Sequence, residues 1–222
     1  MPELRKVHNK TVAPKAGAKG KNKPLSGENI LQGADLWRAL LTRGLRAKHP
    51  LVWEHSQRVA GLSNFVLGEL ELSGRKTGIS SFAIMEQALL HDIGKLSLSK
   101  KLMAKKGLSE SERKKFAAHP QVGHALASVL PAYYREVILA HHERLDGSGY
   151  PKGLAKKQLA LSSKIIAVVD SYDAMISKRG YNVPKTPKQA IEELVRNAGK
   201  KYDAGVVNAL ADVLKRSGKL EQ

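Results

Sequence analysis

Apolar positions fall in a helical rhythm over most of the chain. Val52, Val59, Leu62 and Val66 recur at spacings near three and four, which gives one apolar face to a helix over 52–71. A second helix is predicted over 82–90. Ser109-Glu-Ser-Glu112 has the form of a capping box and opens a helix to about 118. Pro120 marks the stop of that helix and the start of the next, over 121–130, and another follows over 133–142. The run from Ile165 to Ile176 is strongly apolar and too long for a typical strand. Thr186, Pro187 and Gln189 supply an N-cap, a first-turn proline and a second capping box for a helix to about 198. Asp203 caps a last helix, over 206–216. The sequence shows no convincing strand alternation and no internal repeat, so the reading is an all-α bundle.

The rhythm is missing in two places. Residues 1–25 carry Arg5, Lys6, Lys10, Lys15, Lys19, Lys21 and Lys23 against Glu3, and Pro14, Gly17, Gly20 and Pro24 break any periodicity. Such a segment cannot offset its ordering entropy, so it is expected to be a mobile basic tail ahead of a folded unit over 26–222. The other place is Asp146-Gly-Ser-Gly-Tyr-Pro151. Two glycines and a proline in six residues predict a compact turn whose backbone can come close to a ligand.

Composition sets bounds. The 222 residues are 42% apolar and 26% charged, which excludes global disorder and collagen-like fibres. No apolar run approaches the ~18 residues of a membrane span, and the first 30 residues have no apolar stretch of the kind a secretory signal needs. A cytoplasmic protein is expected. There is no cysteine, so disulfides, thiolate zinc sites and cysteine nucleophiles are excluded. Lys and Arg number 38 against 20 Asp and Glu, a net charge of +18, which attracts anionic partners. A third of that excess lies in residues 1–25. The stretch 95–115 is also dense, with eight basic residues against Glu110 and Glu112.

Candidate chemistry resides in histidines and aspartates: His55, the pair His91-Asp92, His119, the pair His141-His142, and Asp170. His91-Asp92 closes the apolar run Ala88-Leu-Leu90. Asp170 follows Ile165-Ile-Ala-Val-Val169, where a lone carboxylate is costly unless it is paired or binds a metal. Singly, each has an ordinary reading: His55 as a satisfied core histidine, His141-His142 as a surface pair. Collectively they form a set of imidazoles and carboxylates at the ends and faces of apolar helices. That set suits first-row transition metals such as Fe, Mn, Co, Ni or Zn and disfavours Ca or Mg. An aspartate beside a histidine can bridge two ions, and two ions about 3.5–4 Å apart can clamp a phosphate.

These residues and the block that follows resemble the HD-GYP family of bacterial cyclic dinucleotide phosphodiesterases, a branch of the HD phosphohydrolase superfamily. The resemblance is carried by His91-Asp-Ile-Gly-Lys95, His119-Pro120 and above all His141-His-Glu-Arg-Leu-Asp-Gly-Ser-Gly-Tyr-Pro151. Asp170-Ser-Tyr-Asp-Ala174 and Arg179-Gly-Tyr181 follow, and the similarity covers roughly 50–210. It implies an HD-domain helical bundle with a short Gly-Tyr-Pro loop beside a metal pocket. It implies two divalent transition-metal ions, iron or manganese, held by His55, His91, Asp92, His119, His141, His142 and Asp170, with Asp92 bridging. Asp92 and Lys95 would be catalytic, with Lys95 on a phosphate oxygen and Arg179 on the other side of the phosphate. Arg144 would serve as a loop ion pair or as a substrate contact. Gly147, Gly149, Tyr150 and Pro151 would shape the loop, with Glu143 and Asp146 holding it. His8, His49 and His124 match no ligand position and are expected to be solvated.

The implied activity is hydrolysis of a cyclic dinucleotide, cyclic di-GMP first among them, to the linear dinucleotide or on to GMP. A slow or inert cyclic di-GMP receptor or scaffold, and an HD phosphohydrolase with another nucleotide substrate, stay open as alternatives. A diguanylate cyclase docking on the Gly-Tyr-Pro loop and nucleic acid on the basic tail are the other partners considered. Three departures from the family pattern stand out. Leu51 occupies the position where some members place a third-metal glutamate, so a binuclear site is expected. Asn182 stands where some relatives have a basic residue. A basic tail stands where a receiver or sensory domain is usual, so the input signal is expected to be missing from this chain.

Overall fold

A computed structural model describes residues 27–178 and 183–220. Among these residues the secondary structure is helical; two isolated β-bridges, Asp146 with Ala155 and Ala198 with Tyr202, are the remaining pairings. None of these helices is long and apolar enough to cross a membrane. The tail expected over 1–25 and Arg179, Tyr181 and Asn182 lie outside the described residues.

Helix α1 (Gly27–Lys48) leads into α2 (Pro50–Leu72), which packs against α1, α3 (Ser81–Leu90), α8 (Leu161–Ile176) and α10 (Ala204–Arg216). Proline at the first position of α2 fits because its missing N–H has no helical partner there. Ser80 caps α3, its hydroxyl accepting from the Ala83 N–H at 3.1 Å. After α3 a 3-10 turn, Ile93–Ser97, carries the chain to α4 (Lys100–Ala104) and α5 (Glu110–Ala117). The Ser109 capping box on α5 is formed reciprocally with Glu112. Neither α4 nor α5 contributes a buried residue.

Helix α6 (His119–Leu126) begins where α5 ends, with Ala118 capping both. It stops short of the predicted 130: Ala127 leaves the helical region, and the Ser128 and Leu130 N–H groups bond to carbonyls three residues back, Ala125 and Ala127. Helix α7 (Ala132–Ala140) follows. In α8 the β-branched run Ile165–Val169 is helical, its modest propensity overridden by burial on all sides. Thr186 and Gln189 form the predicted capping box on α9 (Pro187–Arg196), and Asp203 caps α10 through the Val206 N–H.

Two apolar clusters form the core. One joins Val59, Val66, Leu67 and Leu70 of α2 to Ile84, Ile165, Ile166, Val169, Leu194 and Leu210. The other joins Leu41 and Leu45 of α1 to Val52, Leu90, Ile93, Leu130 and Ile138. Full burial of such side chains contributes about 1.5–3 kcal/mol each. His49, expected in solvent, is instead buried between α1 and α2, with its Nε2 3.2 Å from the Leu98 carbonyl; the sharp junction of the two helices turns it inward. His124 is half-buried on α6.

Candidate metal centre

Five elements deliver side chains to one buried point. His55 comes from the interior of α2, and His91 and Asp92 from the end of α3. His119 opens α6, His141 and His142 follow α7, and Asp170 lies within α8. Three of these positions sit where a helix starts or stops, because there the chain can turn two neighbouring side chains into one space.

The turn after α3 is fixed by backbone contact. A Cβ placed on Gly94 would lie 1.9 Å from the His119 carbonyl oxygen and 2.6 Å from the Gly123 nitrogen. Only glycine lets the turn carrying His91-Asp92 press onto the start of α6, and that contact sets the spacing of Asp92 and His119.

The ligand atoms fall into two groups, each with its atoms within 4.8 Å of one another. One comprises Asp92, His119, His141 and His142; the other comprises His55, His91 and Asp170. Asp92 faces both. Its Oδ1 lies 3.2 Å from His119 Nε2 and 3.8 Å from His141 Nε2. Its Oδ2 lies 3.4 Å from His91 Nε2 and 3.8 Å from His55 Nε2. Asp170 Oδ1 lies 3.0 Å from His55 Nε2, and its Oδ2 lies 3.9 Å from His142 Nδ1.

Hydrogen bonds settle which nitrogens carry protons. The Nδ1 atoms of His91, His119 and His141 lie 2.6, 2.8 and 2.9 Å from the carbonyls of Ala88, Phe116 and Ile138. A carbonyl only accepts, so each Nδ1 donates, and in the neutral ring Nε2 presents a lone pair. The Nε2 atoms of His119 and His141 then face one another at 3.2 Å. Buried lone pairs so opposed call for a cation between them. His91 Nε2 and Asp92 Oδ1 are buried without a hydrogen-bond partner, at a cost of about 1–3 kcal/mol each if left so. The donor set of imidazoles and carboxylates therefore fits a transition metal.

Protonation agrees. Burial opposes charge on Asp92, but Lys95, His91 and His119 outweigh it and hold the carboxyl well below its usual range. Asp170 is likewise held down against burial by His55, His91 and His142. Burial, reinforced by the neighbouring imidazoles, keeps His141 neutral, and burial pushes His142 down to about 3. His55 goes the other way: burial lowers it, but hydrogen bonds to Asp170 and Asp173 raise it above its usual value.

Lys95 is buried, bonded to Asp92 Oδ2, and lies over the Phe116 ring at 5.6 Å. Arg144 donates to the Glu143 carbonyl at 2.9 Å and lies 5.0 Å over the Tyr202 ring, so the side chain braces the loop. Glu143, buried, accepts from the N–H groups of Lys152 and Leu154 at 2.7 and 3.0 Å. Gly147 closes a turn to the Arg144 carbonyl at 2.9 Å. A Cβ on Gly149 would lie 2.4 Å from Glu143 Cα, so the loop lies directly on the backbone of the His-His segment. Tyr150, followed by Pro151, places its ring against His142. Leu51 is exposed.

Two residues have no role in the sequence reading: Arg58, and Asp173 within the run Asp170-Ser-Tyr-Asp-Ala174. Asp173 lies 2.6 Å from His55 Nδ1, and Arg58 grips Asp173 through two nitrogens at 2.7 and 2.9 Å. The available signal was a second acid one turn after Asp170 in an apolar helix.

The sequence profile of the HD domain family matches residues 39–206. A cyclic di-GMP phosphodiesterase of Thermotoga maritima is 37% identical over 160 residues, covering 70% of this chain and 42% of that protein. A 3'3'-cGAMP-specific phosphodiesterase of Vibrio cholerae is 31% identical, covering 76% of this chain and 36% of that protein. The chain thus spans less than half the length of these curated relatives. Among solved structures, an HDGYP protein from Bdellovibrio bacteriovorus superposes with a TM-score of 0.60 at 20% identity, covering 85% of this chain and 64% of that one. That likeness bears out the all-α bundle.

Proposed function

The chain belongs to the HD domain family, and we propose that it is a metal-dependent phosphodiesterase that opens a cyclic dinucleotide, cyclic di-GMP first, to the linear dinucleotide. The unit responsible is the folded part assigned to 26–222. The observation that carries this reading is the division of Asp92, whose Oδ1 faces His119 and His141 while its Oδ2 faces His55 and His91. A carboxylate so placed suits a bridge between two ions. We assign His119, His141 and His142 to one ion, His55, His91 and Asp170 to the other, and iron or manganese as the metal. The exposed Leu51 offers no ligand for a third ion. The assigned residues would hold ions whose chemistry, when bound, would be a lowered pKa for water and a counter-charge for phosphoryl oxygens.

The remaining roles belong to side chains. Lys95 neutralises Asp92 and stands at the edge of the same space, where its ammonium can reach a phosphate oxygen. Arg179 is assigned to the far side of the phosphate from its sequence position. The loop over Gly147–Pro151 and the stacked Tyr150 close one side of the centre against water.

The relatives named for cyclic di-GMP and for 3'3'-cGAMP share the phosphodiester chemistry and differ in the bases, so a mixed-base substrate is the second reading. Anaerobic incubation of iron- or manganese-loaded protein with each dinucleotide, followed by product analysis, tests both. Conversion of cyclic di-GMP to the linear dinucleotide is expected. A chain with two ions bound that consumes neither overturns the proposal.

A further inference from the structure

The imidazoles facing the centre are oriented in different ways. His91, His119 and His141 each donate Nδ1–H to a backbone carbonyl three residues earlier, a partner that comes with the local turn. His55 lies inside α2, where the carbonyls belong to the helix. Its Nδ1 instead lies 2.6 Å from Oδ2 of Asp173, which stands 118 positions away on α8. Asp173 is buried, and its carboxylate is held on both sides. Arg58 donates from Nε to Oδ1 at 2.7 Å and from Nη2 to Oδ2 at 2.9 Å, and Ser177 Oγ donates to Oδ2 at 3.1 Å.

A carboxylate that already accepts these hydrogen bonds has only acceptor capacity left for His55. The proton between them therefore sits on Nδ1, which leaves Nε2, facing Asp170 and Asp92 at 3.0 and 3.8 Å, as the nitrogen that can bind a metal. Resting on the metal reading above, we propose that Asp173, clamped by Arg58, is the positioning residue of the His55–His91–Asp170 subsite. It fixes the tautomer and ring plane of His55 from behind. Partners of this kind typically alter metal affinity about 10–100-fold.

Chemistry predicts how the clamp fails. Asparagine at 173 has one oxygen where Asp173 uses two. With Arg58 donating from two nitrogens, the amide oxygen is drawn to the guanidinium and the amide NH2 is left facing His55. That arrangement favours the tautomer with the proton on Nε2, which cannot bind a metal. Arg58 is half-exposed, on the wall of a groove of about 770 Å³ on the outer face of α2, so water replaces part of its contribution when it is lost.

The test is Mn2+ alone, titrated by calorimetry into metal-free protein, with bound metal counted after dialysis. Wild type is expected to take two ions. Asp173→Asn is expected to weaken one of them about 10–100-fold and leave the other unchanged, and Arg58→Gln to weaken the same ion by less. In the zinc-loaded, diamagnetic protein, the nitrogen spectrum of His55 should show the Nδ1–H tautomer. Where Asp173→Asn loses its helical signal, Arg58→Gln carries the same comparison. Two ions bound equally by wild type and both variants overturn the positioning role. Equal weakening of both ions overturns the assignment to one subsite. A wild-type chain that takes up no Mn2+ overturns the metal reading itself.

Discussion

The ring of Tyr150 stacks on the imidazole of His142, with centroids 4.7 Å apart and planes inclined by 29°. The Tyr150 N–H also donates to the His142 carbonyl at 3.3 Å. The loop thus packs ring and backbone of the same histidine, and Glu143 ties down the far side of the loop. Tyr150→Phe keeps the stacking face and is expected to leave metal content roughly unchanged. Tyr150→Ala removes it and is expected to weaken metal retention roughly tenfold. Metal per chain after timed dialysis against a chelator checks this; equal retention in both variants contradicts it.

Asp92 stands between the two groups of ligand atoms, so no single subsite survives its loss. Asp92→Ala is expected to empty both and to abolish dinucleotide hydrolysis. Metal analysis and product assays on the same preparation check it. A variant that retains two ions and turns substrate over would remove Asp92 from the bridge.

Backbone contact at Gly94 makes a sharper prediction than any side chain. Gly94→Ala drives a methyl group into the His119 carbonyl 1.9 Å away and is expected to cost at least ~2 kcal/mol. Gly61 on α2 has nothing within 4 Å of its would-be Cβ, so Gly61→Ala is expected to gain about 0.5–1 kcal/mol from helix propensity. Denaturant melts of the pair, one falling and one rising, check both.

Acid sensitivity should include the cap of α10. Asp203 Oδ1 accepts from the Val206 N–H and from Arg75, each at 3.2 Å. Burial raises its pKa, but these donors outweigh burial and bring the carboxyl below its usual value. A depressed carboxyl stabilises the fold fully above its unfolded pKa of about 3.9, and that stabilisation is lost as pH falls through the folded value. Asp203→Asn still caps but does not ionise. The gap in melting temperature between wild type and this variant is expected to narrow as pH drops from about 6 to about 3.

Much of this architecture was legible in the sequence because its signals are local. Capping boxes at Ser109 and Thr186, the cap at Asp203 and the apolar stripe of α2 all express themselves within four residues. The histidines and aspartates were legible as a set because burial in apolar helices makes each one costly alone. What escaped depends on distant pairing. Helix α1 shows solvent Leu36 and Leu40 and buries Leu41 and Leu45, a pattern set by packing against α2, the 3-10 turn and the second apolar cluster. His49 is buried because two helices meet there. Arg58 and Asp173 lie 115 positions apart, and neither residue type signals the other.

The excursion from Ser99 to Ala118 contains no buried residue, yet both of its ends are pinned where Gly94 meets His119 and Gly123. Phe116 is its link to the centre, through a carbonyl that accepts from His119 and a ring beside Lys95, and the exposed residues before it lie apart from the ligands. Seven of the lysines and arginines of the basic stretch lie on it. Those exposed basic side chains can therefore be exchanged by mutation while the Phe116 contacts to His119 and Lys95 are kept.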